Sequence, residues 1–442
     1  MNKFYLRCQH CNNSKFDFFE WFSNKQKCPK CGGKYVKVIY KDLISRLIKT
    51  FAKNDKHRKG MWRYFDILPL NNEGNIVSAG EGDVAIERWF FLEIFAHRYF
   101  GIKCQVYAHR QDNNNATGSF KDLAGSLVAS VLLENNINSY VVASTGNIGV
   151  AFSRYISWHG GTLYAFIPDN SPRFKESEIG IFGQRVYRVS GDYDETKNVA
   201  EDFAQQNNIL MAAGTFDPMR VEAKKTMAFE WFRQMQDFPS VYIQALSGGT
   251  GPLGVMKGCE ELRKARLIRK FPRLILVQSD KCAPMANAWK QAKAHGFIGD
   301  WENNYPVYRN PSTIIPTLAT GNPSAYPVIS ILVKKSLGEI IDFPESLVPD
   351  IVRLVACETA VRIGPAAAIA VGGFFASLRN GFIHPHDNVM INIGEGIRRD
   401  PEFMINLNQD SIRIRNSKDC FLFNRDAHKK SIWDKLISYT KI

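Results

Sequence analysis

Four cysteines stand in two pairs near the N-terminus, Cys8-Gln-His-Cys11 and Cys28-Pro-Lys-Cys31, with sixteen residues between the pairs. Two such knuckles can bring four thiolates to the corners of a tetrahedron, which is what a closed structural zinc site requires. Metal ligation would supply folding energy that a segment of about 40 residues cannot draw from its own core. The other five of the nine cysteines are scattered, which argues against a disulfide framework. Three glycine-bearing turns hold the remaining side chains suited to chemistry. In Thr117-Gly-Ser119-Phe-Lys121 a lysine lies at the expected start of a helix beside small residues. Lost hydration would shift its amine toward neutrality, as a Schiff-base lysine requires, although one lysine in one turn also reads as a surface charge. Ala143-Ser144-Thr145-Gly146-Asn147 sets hydroxyls and free backbone N–H groups at a helix start, either a carboxylate-sized anion site or an ordinary cap, and the Asn147 amide can reach a neighbouring ring hydroxyl. In Ser247-Gly248-Gly249-Thr250-Gly251-Pro252 the glycines let backbone N–H groups wrap a phosphate and Thr250 adds a hydroxyl. That spacing is neither the GxGxxG of a dinucleotide site nor a P-loop.

Each turn needs a strand to end and a helix to begin. From Ile76 onward, short β-branched runs such as Tyr140-Val-Val-Ala143 and Leu274-Ile-Leu-Val-Gln278 alternate with stretches of helical period such as 123–135 and 226–236. Such alternation predicts βαβ units and a mostly parallel sheet covered by helices on both faces, with ligands at the strand ends. Boundaries follow from composition: a zinc-ribbon-like module over 1–40, a basic and partly helical connector over 41–75, an α/β body over 76–400 with a smaller subdomain near 125–215, and an extension over 401–442.

The chain has 442 residues with 57 Lys and Arg against 43 Asp and Glu, a formal +14. Of that excess +12 falls on residues 1–63, so the body is nearly neutral and does not read as a basic groove for nucleic acid. No apolar run approaches the ~18 residues of a bilayer span, and no secretory stretch opens the sequence; a cytoplasmic protein that meets no membrane is expected.

The order of the turns, reactive lysine first, carboxylate turn second and phosphate turn third, together with Gly364-Pro-Ala-Ala-Ala368, resembles the fold type II family of pyridoxal-phosphate enzymes, in its threonine synthase and cysteate synthase branch. The resemblance spans about residues 63–399, and the cysteine module also occurs in that branch. It implies a tryptophan-synthase-β-like fold with two open parallel-sheet α/β domains. It also implies covalent attachment of pyridoxal 5'-phosphate to Lys121, which then moves protons. Ser119, Ser144, Thr145, Gly146 and Asn147 would hold the amino-acid substrate, Asn147 would also touch the pyridine hydroxyl, and Gly248, Gly249, Thr250 and Gly251 would cradle the cofactor phosphate. Family habit adds a homodimer. Lys225 and Arg220 lie in a similar segment, either as cations for an anionic substrate or as solvated helix charges.

Two departures stand out. Threonine synthases commonly follow the lysine with Asp-Arg-Gly, whereas Asp122-Leu-Ala follows here, so a cation for substrate phosphate is missing from that turn. Where the family places a Ser or Thr against the pyridine nitrogen, this chain offers Asn392 or Glu395. The implied activity is β- or γ-elimination or replacement on an O-activated, phosphate-bearing amino acid, threonine synthase-like. The alternatives are a cysteate or cysteine synthase-like β-replacement on an activated serine, and a zinc-ribbon binding protein whose enzyme body is retired.

Overall fold

Two sheets are built at the strand ends that the glycine turns punctuate. The computed structural model describes residues 2–12, 15–52, 58–144, 146–169, 171–407, 415, 417–420, 422 and 424–441. The larger sheet has six strands, in spatial order Glu339–Phe343, Arg273–Ser279, Val241–Ala245, Asn388–Asn392, Gln105–His109 and Ile86–Arg88. All pair in parallel except the last, which runs antiparallel at the edge. The smaller sheet is parallel throughout, in the order Arg185–Val189, Thr162–Pro168, Ser139–Ala143 and Leu210–Met211. The central strands are apolar and buried, as a parallel sheet covered on both faces demands.

Helix Pro365–Arg379 packs so closely on the larger sheet that a Cβ on Gly372 would sit 2.4 Å from the Phe343 ring, and one on Gly373 2.4 Å from Val277. Small residues there set the helix-to-sheet distance. The two sheets carry the lysine turn between them: helix Lys121–Glu134 leaves the larger sheet and packs on helix Asn147–Trp158 of the smaller one, with Gly125 against Tyr155.

The N-terminal module is a hairpin, Phe4–Cys8 antiparallel to Val36–Tyr40, with helix Phe18–Ser23 between them. Asp17 and Glu20 form a reciprocal cap at the start of that helix. Phe4, Leu6, Phe18, Trp21, Val36 and Val38 are buried in continuity with the core of the body. The module thus owes part of its core to its neighbour. Tyr40 donates to Glu222 at 2.6 Å and Lys257 donates to the Val38 carbonyl at 2.6 Å, fastening the hairpin to the body.

The expected basic connector divides at Gly60. Helix Leu43–Ala52 is largely at the surface, but from Gly60 the chain supplies Met61, Trp62, Tyr64, Phe65, Ile67, Leu68 and Leu70 to the interior. At the other end, helix Arg425–Thr440 lays Trp433 on Phe95 with ring centres 5.3 Å apart, and Lys435 pairs with Asp350 at 3.0 Å. Among the described residues no helix is long and apolar enough to cross a membrane.

Candidate active site

The lysine turn is tied to the late glycine strand end. Ser119 bridges to Glu395, and Phe120 N donates to the Gly394 carbonyl at 3.1 Å. The Ser119 hydroxyl pairs with Thr117 Oγ1 at 3.1 Å and accepts from Lys121 N at 3.3 Å. Lys121 opens its helix half-buried, its Nζ 4.0 Å from the centre of the Phe120 ring. Desolvation, reinforced by the Arg220 charge and opposed by Glu395, lowers its amine from 10.5 to about 7. An amine in that range is a nucleophile and proton carrier at neutral pH.

The second turn follows strand Ser139–Ala143. Ser144 Oγ accepts from Gly146 N at 3.1 Å and Gly149 N at 3.2 Å, so part of the N–H array expected for a substrate carboxylate is already satisfied. Gly146 lies against Thr317, whose methyl would be 2.7 Å from an added Cβ. Thr145 lies outside the described residues. Asn147 is buried, and both ends of its amide are engaged: Nδ2 donates to Glu395 Oε2, and Oδ1 accepts from Lys175 Nζ at 2.7 Å.

No sequence motif had marked Lys175. It comes from helix Arg173–Gly180, also donates to the Arg399 carbonyl at 2.7 Å, and burial lowers its amine to about 8. Arg399 in turn donates to the Thr117 carbonyl at 2.7 Å and pairs with Glu178. These bonds latch the smaller sheet's helices onto the lysine turn and the C-terminal edge of the body.

Glu395 is 4% exposed and spends its carboxylate inside the protein, with Oε1 accepting from Ala366 N at 3.2 Å at the start of helix Pro365–Arg379. Asn392 differs: its Oδ1 is buried without a partner, and its Nδ2 approaches Gly394 beside the Phe120 ring. Of the two residues, Asn392 keeps hydrogen-bonding capacity for a ring.

The third turn ends strand Val241–Ala245 and starts helix Thr250–Lys264. Gly249 adopts φ +87, and the Gly248 carbonyl accepts from Thr215 at 2.7 Å. A Cβ on Gly251 would sit 2.3 Å from the Gln244 amide, so a larger residue there would displace that side chain. The N–H groups of this helix start have no side-chain cap and suit a phosphate.

Lys225 is not in the cleft. It is fully buried, paired with Glu222 at 2.6 Å and Glu261 at 2.9 Å, with its Nζ 4.1 Å from the centre of the Tyr40 ring of the N-terminal hairpin. Its position is a correction to the sequence reading. The adjacent Lys224 turns the other way, about 100° around the helix axis. Its Cβ lies 2.6 Å from the Cβ position of Gly254, one turn into the phosphate helix, and its Nζ is 5.5 Å from the Phe120 ring centre. Lys224 therefore joins the phosphate turn to Lys121. Arg220, one turn before it, donates to the Gly214 carbonyl at 2.8 Å, and its charge reaches Lys121. The spacing of Arg220 and Lys224, four apart on one helix, was the available signal.

In the N-terminal module the four Sγ atoms of Cys8, Cys11, Cys28 and Cys31 lie within 4.8 Å of one another, with Cys8 and Cys31 at 3.6 Å and Cys11 and Cys28 at 3.9 Å. Tetrahedral ligation at about 2.3 Å per bond places sulfurs about 3.8 Å apart, so the four thiols suit a zinc ion.

Residues 94–394 match the family described as pyridoxal-phosphate dependent enzyme. The threonine synthase of Methanocaldococcus jannaschii is 27% identical over 408 residues, covering 88% of this chain and 96% of that protein. The cysteate synthase of Methanococcoides burtonii is 27% identical over 91% of this chain and 95% of its own. Among solved structures, threonine deaminase isoform 2 from Solanum lycopersicum superposes with a TM-score of 0.60 at 15% identity, covering 83% of this chain and 88% of that one. Cysteine synthase from Entamoeba histolytica gives 0.59 at 15% identity, over 81% and 93%. The residues present fit the cofactor these names imply: an amine near neutrality, a glycine-lined helix start for its phosphate, and an unpartnered buried amide at Asn392 for its ring. With the fold of type II and a match over most of its length, the chain belongs to the pyridoxal-phosphate-dependent enzyme family.

Proposed function

We propose that the chain is a synthase or lyase that eliminates or replaces the β- or γ-leaving group of an O-phosphorylated amino acid, in the manner of the threonine synthases it resembles. The carrying observation is the Lys121 amine over the Phe120 ring, with the Lys224 amine over the same ring and the half-buried Arg220 one turn before Lys224 on its helix. A phosphate leaving group needs a cation near the reacting atoms, and Arg220 supplies one that the turn after Lys121 lacks.

When bound, the pyridoxal ring supplies an electron sink for the pair left behind by an α-proton. Lys121 Nζ would anchor the cofactor and then take the proton from the substrate α-carbon. Backbone N–H groups at Gly248 to Gly251 would hold the cofactor phosphate, and Asn392, whose buried Oδ1 has no partner, would offer the ring a neutral amide. Asn147, oriented by Lys175 and Glu395, would line the cofactor hydroxyl and, together with Ser144, the substrate carboxylate. A β-replacement on O-phosphoserine, as the relatives named cysteate synthase suggest, would use the same groups. In the N-terminal module, a zinc ion held by Cys8, Cys11, Cys28 and Cys31 plays a structural part.

The reading is tested by borohydride reduction of the holoprotein and mass mapping, with the adduct expected on Lys121 and visible absorbance lost in Lys121→Ala. Mixing the holoprotein separately with O-phosphohomoserine, O-phosphoserine and O-acetylserine then finds the donor, as a lasting spectral change with one phosphate ester. A protein that binds no such chromophore, or an adduct on another lysine, sinks it.

A further inference from the structure

Lys224 is 0% exposed and its Nζ has no hydrogen-bond partner. An ionisable group buried in this way carries a desolvation cost unless something polar meets it. Two neighbouring polar atoms share the condition: Arg220 Nε and Asp217 Oδ2 are likewise buried and unpartnered. All three lie on the first turns of helix Pro218–Gln234, where Asp217 is the N-cap and spends Oδ1 on the backbone N–H groups of Met219 and Arg220. The groups facing Lys224 are Lys121 across the Phe120 ring, Arg220 and Asp217. Two amines and a guanidinium thus stand against one carboxylate, an arrangement suited to an incoming anion. Desolvation first, then the charges of Arg220 and Lys121, hold the Lys224 amine well below its ordinary value, while Asp217 opposes them.

We propose that Lys224 is a specificity-determining residue whose Nζ, together with the Arg220 guanidinium, takes the phosphate of the substrate's leaving group and so selects phosphate esters over acyl esters. A dianion brings several strong acceptors and draws a proton onto the amine; an acyl ester brings one neutral carbonyl and no charge. The proposal rests on the phosphate-ester reading above. The cofactor phosphate is the other source of the same chemistry, since Lys224 also packs on the helix that cradles it.

The test uses the holoenzyme with Lys224→Met, Lys224→Gln and Lys224→Arg, reading kcat/KM for the phosphate and acetate esters of the same amino acid and the dissociation constant of pyridoxal phosphate. In Lys224→Met the ratio of phosphate to acetate ester is expected to fall about 10- to 100-fold, the worth of one charged hydrogen bond. Lys224→Arg restores part of it, and the melting temperature of Lys224→Met rises because an unpartnered amine has gone. Lys224→Gln, which keeps a donor without the charge, gives the same fall and serves if the Met variant does not accumulate. An unchanged ratio overturns the proposal. So does a weakened cofactor affinity with the ratio preserved, which would give Lys224 to the cofactor phosphate. A wild type that does not distinguish phosphate from acetate esters overturns the functional reading itself, and the proposal with it.

Discussion

Asp122 accepts from Thr117 N at 2.8 Å and from Thr117 Oγ1 at 2.5 Å, closing the turn that presents Lys121. Burial drives its carboxyl up from 3.8 to about 7 in spite of those two bonds. The folded chain therefore holds a proton that the unfolded chain releases between about pH 4 and about pH 7, and the contribution of this group to stability is lost as the pH climbs through that window. Urea unfolding at about pH 5 and about pH 7.5 should show the wild type losing stability relative to Asp122→Asn over the interval; parallel curves for the two proteins would place the titration elsewhere. The cation absent from this turn would fall at the next position, where Leu123 is buried in the core, so a basic side chain there would carry a desolvation cost. Lys224 and Lys225 make the matching point on the neighbouring helix. They are consecutive and of one type, yet one enters the cleft while the other is locked between Glu222 and Glu261.

At the level of the element, the phosphate turn depends on backbone that only glycine accepts without strain. Gly249 sits at φ +87, and a Cβ there would meet Ile329 Cδ1 at 2.7 Å. Gly249→Ala is expected to cost about 1–3 kcal/mol of stability, and to weaken pyridoxal phosphate binding more than it lowers the melting temperature, because the N–H groups of the turn shift with the backbone. Fluorescence titration with the cofactor, alongside thermal unfolding, checks both; unaltered affinity would remove this turn from the cofactor site. The latch from Lys175 through Asn147 to Glu395 works differently. It joins three elements distant in sequence, and each residue fixes the orientation of the next: an ammonium on Oδ1 forces the Asn147 amide to offer Nδ2 to the carboxylate.

For the whole molecule, the N-terminal module shares its core with the body and grips helices Pro218–Gln234 and Thr250–Lys264 through Tyr40 and Val38. Replacing Cys8 and Cys28 together with serine should abolish bound zinc and lower the unfolding free energy by more than ~2 kcal/mol, measured by metal analysis and denaturant unfolding, since ligation and folding of such a module are coupled. Metal content that survives both substitutions would refute the site. Much of this protein was legible without coordinates, because its information is local. Two CxxC knuckles, three glycine turns after apolar runs and the alternation of strand and helix each depend on residues only a few positions apart. What required the tertiary structure was whatever depends on how distant segments meet: strand Asn388–Asn392 slotting between Val241–Ala245 and Gln105–His109, Glu395 reaching Asn147, and Lys224 rather than Lys225 facing Lys121. Side-chain direction on a buried helix and the partner of a buried charge follow from packing across hundreds of residues, and no short window of sequence contains them.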